Sequence, residues 1–221
     1  MKNKLIHLIS ILLLTATCFS CSNDDNNNSD EYLIGTWNYS GETNDIHFEF
    51  EYNSDKISFP EGMIPSGILS RDIPNGIDVS LIKMMLPGIG NKYMSKYFQG
   101  IKFISEDEME ILMTVKEQPI TLKTNYITQK DVIKINIQSP GFKELLGTMI
   151  PVNSIDLNYK INNDELTVYL NTLYVKIILI AIPTILDSAE LPEEQKTIIK
   201  EFIQTFSNNL ETFEFGVKLT K

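Results

Sequence analysis

Strict alternation of apolar and polar residues constrains this chain more than any other feature. Ile46, Phe48, Phe50 and Tyr52 fall on one face of a stretch whose other face carries His47, Glu49 and Glu51. Successive side chains of an extended backbone point to opposite sides, so such a segment is a strand with one buried face and one wet face. The pattern recurs in Met109/Ile111/Met113/Val115, Ile120/Leu122/Tyr126, Ile133/Ile135/Ile137, Ile155/Leu157/Tyr159/Ile161, Leu166/Val168/Leu170 and Phe213/Phe215/Val217/Leu219. Short polar hinges, YNSDK, SEDE, TQKD and NNDE, stand between these segments. Asn and Asp accept turn geometry and bond to their own backbone, so the hinges close hairpins. A meander of about ten strands with one oily face must curl or close to hide its edges. The expected fold class is mainly β, an antiparallel up-and-down meander closing into a barrel of about 8–10 strands with helical insertions.

Three apolar stretches interrupt the meander, near 61–98, 140–154 and 173–209. The first carries VSLIKMML and KYMSKYF; the second carries PGFKELLGTMI, with Ser139 placed to cap a short helix before Pro140. In the third, VKIILIAIPTIL precedes a stretch where Ile198, Ile199, Phe202, Ile203, Phe206 and Leu210 recur at helical spacing. Pro192, Glu193 and Glu194 open that helix with acidic groups at the positive end of its dipole. Inserts this apolar must be buried against something.

The first strand begins at LIGTW, which sets Gly35 and Trp37 on one face. A Gly-x-Trp on the first strand of an up-and-down barrel resembles the lipocalin signature. The resemblance implies a lipocalin-like barrel over 32–221, one end of which the indole closes while stacking on a cation from the last strand. Lys218 in FEFGVKLTK is the matching cation, although alternation puts it on the polar face and the family ordinarily has arginine there. The only arginine of this chain is Arg71.

The N-terminus supplies location. Lys2 and Lys4 precede an almost wholly apolar run from Leu5 to Leu14, the layout of a secretory signal peptide and too short for a transmembrane helix. Ser20 directly before Cys21 resembles a bacterial lipobox, although Cys18 stands where that motif ordinarily has leucine. The expected organisation is a signal peptide over 1–20, a lipidated polar tether over 21–31 and the barrel domain beyond. Asp24 and Asp25 close behind Cys21 resemble surface-export signals of Bacteroidota lipoproteins. Together these imply an outer-membrane lipid anchor in the cell envelope, with a lean towards surface exposure. With Cys21 acylated, no thiol or disulfide chemistry remains in the mature chain.

Without Lys2 and Lys4, 17 of the 19 basic residues remain against 29 acidic ones, a balance of −12. Nucleic acid and anionic lipid both demand a basic footprint, so neither is an expected partner of the folded domain. Catalytic parts are also scarce. His47 is the one histidine beyond the leader, so a Ser-His-Asp or Cys-His unit lacks its members. His47, Glu49 and Glu51 have metal-ligand chemistry, but a solvated strand face of this kind is ordinarily inert, and no metal or other cofactor is expected. LPGIGNK lacks phosphate-loop spacing. The acidic clusters at 106–110 and 193–194 fit a hairpin tip and a helix start.

A non-enzymatic role follows, in one of two forms. Either the barrel holds an apolar or amphipathic small molecule beneath a helical lid, as the lipocalin resemblance implies. Or the barrel is filled by its own side chains and the helices, through Leu81 to Leu86 and Val175 to Leu186, dock on an envelope protein. Plain helices that plug the barrel and complete its core satisfy most individual residues equally well.

The lipid anchor is directly testable. Cys21→Ser is expected to abolish incorporation of a fatty-acid analogue and release the protein from membranes; undiminished labelling would place the lipid on Cys18.

Overall fold

The computed structural model describes residues 30–60, 76–142, 153–187 and 191–221. The expected signal peptide, Cys21 and the expected tether up to residue 29 lie outside the described residues, as do 61–75, 143–152 and 188–190 of the three inserts.

A single helical turn, α1 (Asp30–Leu33), leads into β1 (Gly35–Asn38), and its first two residues fall within the stretch read from the sequence as tether. After a 3-10 turn at Thr43–Asp45 the chain continues as β2 (Ile46–Tyr52). A small hairpin of β3 (Lys56–Ile57) and β4 (Ile77–Asp78) stands apart, and α2 (Val79–Tyr97) follows. The meander then runs through β5 (Phe98–Phe103), β6 (Glu108–Val115), β7 (Gln118–Gln129), β8 (Val132–Asn136), β9 (Ser154–Asn162) and β10 (Glu165–Leu170). Helices α3 (Thr172–Asp187) and α4 (Glu193–Asn209) precede the last strand, β11 (Leu210–Thr220).

Every pairing is antiparallel, and β11 closes the sheet by pairing with β10 on one side and with both β2 and β1 on the other. Val217 faces Ile46 and Thr220 faces Asn38. β1 and β2 thus act as one interrupted strand of an eight-strand closed barrel. The alternation expected from the sequence places Ile133, Leu166, Val217 and Leu219 in a continuous interior core. β5 carries too few alternating positions to announce itself, because Gly100 and a bulge after Phe98 break its period. The β6–β7 turn is equally silent. Lys116 and Glu117 both take positive φ, the geometry that ordinarily favours Asn-Gly.

The barrel has two unlike ends. The β5–β6, β7–β8 and β9–β10 turns and α1 sit at one end, the base. At the other end, the mouth, α2 runs straight into β5, α3 follows β10 after one residue, and α4 runs straight into β11. β2 and β11 also outreach the wall there, since β10 stops opposite Phe215 while β2 follows β11 to Leu210. This two-stranded ribbon needs its own cover. Phe50 stacks on Phe206 of α4 at 6.4 Å and meets Phe213 edge-on at 5.9 Å, within a second core that Val79 of α2 and Val175 of α3 complete.

The helices differ from the sequence reading in detail. α2 and α3 run unbroken through Pro87 and Pro183. A helix starts at Pro140, but Ser139 Oγ is buried without a hydrogen-bond partner and does not cap it. Ile178, Ile182 and Leu186 of α3 bury themselves against Ile203 of α4, while Ile180 of the same helix is 72% exposed. No described helix is long and apolar enough to cross a membrane.

The ribbon core fixes a contrast between neighbouring residues. Phe50 is 3% exposed, and Phe50→Ala is expected to cost about 3–5 kcal/mol, as for other deleted core aromatics. Glu51 ends in an exposed pair with Lys83 at 2.7 Å, and Glu51→Ala is expected to stay within about 0.5 kcal/mol. Urea titration measures both, and equal losses would refute the facing.

Candidate functional site at the barrel mouth

The base of the barrel is sealed. Trp37 is fully buried, and its indole N–H donates to Leu33 O at 2.6 Å. Beside it Phe103 and Tyr126 meet edge-on at 5.0 Å, and the Tyr126 hydroxyl donates to Ser105 O at 2.7 Å. Tyr159 likewise donates to Lys130 O at 3.0 Å. Each phenol spends its polar end on a hairpin carbonyl and its ring on the core, so both hydroxyls are satisfied. Gly35 opens β1 opposite Phe103, two residues before Trp37, which faces Ile101.

The cation over the indole is Lys221, not Lys218. Lys221 Nζ lies 4.7 Å from the ring centroid and donates to Tyr32 O at 3.1 Å. Alternation is the reason. Val217 and Leu219 point inward, so Lys218 falls on the outer face opposite Thr167, while Lys221 has the inward parity. Counting onward from Leu219 along the apolar face would have found it.

Towards the mouth several inward side chains are only partly buried, although Ile135 and Ile137 of the β8 side stay buried. On β6, Met109 is fully buried whereas Ile111 and Met113 are only partly so; on β7, Tyr126 and Leu122 give way to a half-buried Ile120. Leu157 of β9 and Phe215 of β11 repeat that partial exposure. The lining is almost wholly apolar. Thr124 is the buried polar side chain on this inner face, and its hydroxyl bonds to Asn136 O.

The helices roof this half. Gly90 of α2 lies so close to Phe215 that a Cβ there would stand 2.8 Å from the ring. Tyr39 anchors the same helix by donating to Asn91 Oδ1 at 2.5 Å, while Asn91 Nδ2 donates to Gly41 O at 3.0 Å. Burial, and then the charge of Asp45, raise the Tyr39 phenol above its ordinary pKa, against a lowering bond with Ser95, so it stays protonated and donating at neutral pH. Asn171 accepts from the Tyr174 N–H at 2.9 Å to cap α3, and its amide donates to Asn158 of β9 at 2.5 Å. Ile155 touches both the barrel core and the α3–α4 pair. None of these asparagine anchors was legible in the sequence, because each joins a helix to a residue the pattern leaves in a loop or on a wet face.

On the outer face of the ribbon the structure brings His47 and Glu49 together, but with Glu214 rather than Glu51. The remainder of the acidic residues named from sequence stay apart: Glu110 pairs with Lys102 and Lys123, and Glu193 with Lys196.

No protein-family model, no curated protein and no solved structure matches this chain.

Trp37→Phe is expected to cost about 1–3 kcal/mol, because it strands the buried Leu33 carbonyl. Lys221→Ala is expected to cost about 0.5–1 kcal/mol, the size of an exposed cation–π contact. Lys218→Ala should be neutral; a larger loss for Lys218→Ala than for Lys221→Ala in denaturant titration would contradict the geometry.

Proposed function

We propose that this chain is a lipid-anchored, non-catalytic binding protein of the cell envelope, a lipocalin-like barrel that takes an apolar or amphipathic small molecule at its mouth. The observation that carries the reading is the gradient inside the barrel. The base is packed to zero exposure around Trp37, whereas Ile111, Met113 and Ile120 at the mouth stay partly exposed beneath a roof of helices. Close-packed interiors leave few voids, so a stable barrel that seals one end and leaves the other loosely filled suits a guest more than a plug. The apolar lining selects for hydrocarbon or ring systems. The N-terminal lipobox-like FSC and its polar tether support an outer-membrane anchor at Cys21, with the barrel domain held in the aqueous phase.

A second reading rests on α2. Met84 is 72% and Tyr93 52% exposed on that helix, with Met85 and Ile89 between them. Exposed apolar side chains in one row mark contact surfaces, and they support the alternative of an interaction module in the envelope.

Titration with apolar fluorescent dyes and fatty acids separates the readings. The carrier reading expects saturable binding with one dominant site, and it expects Ile120→Trp to weaken that binding tenfold or more while the melting temperature changes little. Absence of saturable binding by the wild-type protein would reject the carrier and leave the interaction module.

A further inference from the structure

The outer flank of the ribbon carries a cluster of donors that interior binding does not use. β2 and β11 place Glu49 opposite Glu214 and His47 opposite Gly216. Neighbours on one face of an antiparallel pair stand within side-chain reach, so the register gathers the three donors onto one patch. One ligand-capable atom from each of His47, Glu49 and Glu214 lies within 4.8 Å of the others. His47 Nε2 and Glu214 Oε2 already meet at 2.8 Å, with side chains only 14% and 20% exposed.

The imidazole sits in a formed recess. Gly216 allows β10 and β11 to approach so closely that a Cβ would stand 1.9 Å from Val168 O and 2.5 Å from Tyr169 Cβ. Tyr169 therefore lies against His47, with ring centroids 4.7 Å apart. A tyrosine wall on one side and a carboxylate on the other hold the imidazole on rigid strands. A charged group beside the cluster is Lys160 of β9, whose amine rests 4.9 Å from the Tyr169 ring centroid; Lys218 lies on the same outer face of β11. A hydrogen bond with Tyr169, and then the charges of Glu214 and Glu49, raise the Lys160 amine above its ordinary pKa, against desolvation. Two carboxylates and one imidazole thus share this patch with an ammonium held against the Tyr169 ring.

We propose that His47, Glu49 and Glu214 bind one divalent transition ion of the zinc class and clamp β2 to β11. One imidazole nitrogen with two carboxylate oxygens suits Zn2+, Co2+ or Mn2+, and lacks the thiolates that softer ions select. Donors about 2.1 Å from a tetrahedral ion stand roughly 3.4 Å from each other, so donors already within 4.8 Å close on it by side-chain rotation alone. Three protein donors leave the fourth position to water. Lys160 swings clear on its flexible stem. The proposal is independent of what the barrel interior holds.

The untagged mature protein, without the leader and both cysteines (residues 22–221) and stripped with chelator, is titrated with Zn2+ by calorimetry and with Co2+ by visible absorption. The expected result is one equivalent bound, with the d–d bands of a tetrahedral cobalt site, and a melting temperature raised by Zn2+. His47→Ala and Glu214→Gln should each weaken binding roughly 100-fold or more and cancel the thermal shift, while Glu51→Gln leaves both unchanged. Glu214→Gln keeps a group able to bond His47, and melting in chelator verifies that each variant folds. Failure of the wild-type protein to bind either ion saturably at micromolar concentration would overturn the proposal, and so would binding that survives both His47→Ala and Glu214→Gln, since dispersed surface carboxylates would then be the ligands.

Discussion

Closure of the sheet through β11 is the constraint on which everything else depends. This strand pairs along one side with β10 and along the other with β2 and then β1, so the first and last strands satisfy each other's backbone. A barrel closed this way has no free edge, and its inward positions become a dry interior. The same strand is longer than the wall it completes. Its surplus, paired with β2, rises beyond β10 and must be covered, which is why an aromatic second core and three helices gather at one end only.

The asymmetry between base and mouth follows from that arrangement. At the base the turns are short and the polar tips of Tyr126 and Tyr159 are spent on hairpin carbonyls, so large rings can close the interior around Trp37. At the mouth the rings of Phe50, Phe206 and Phe213 pack the ribbon against the helices, and asparagine and tyrosine hydrogen bonds tie the helix ends down. Buried side chains of all three helices, Val79, Val175 and Ile203 among them, complete the apolar cores at this end.

The outer face of the ribbon shows how far pairing can alter the meaning of a residue. Along β2 alone, His47, Glu49 and Glu51 form a wet row with nothing to distinguish them. Pairing sends Glu51 to Lys83 of α2 and brings Glu214, far away in sequence, to His47. Gly216, which in the sequence is a weak residue for a strand, becomes the place where two strands and two rings close up.

The sequence by itself determined which residues face inward and that the meander must close. Alternation is a local property, fixed by the two-residue repeat of an extended chain, so Phe48, Ile133 and Leu219 declared their faces without any partner strand. Register, strand ends and charge partners depended on tertiary structure, because a hydrogen-bonded ladder joins positions that no local period relates. That is why Lys221 rather than Lys218 covers the indole, why Glu214 rather than Glu51 meets His47, and why α3 turns its apolar face onto α4. The amphipathic helices could be found from their spacing, but their destination over the mouth was set by the strands that α2, α3 and α4 directly join.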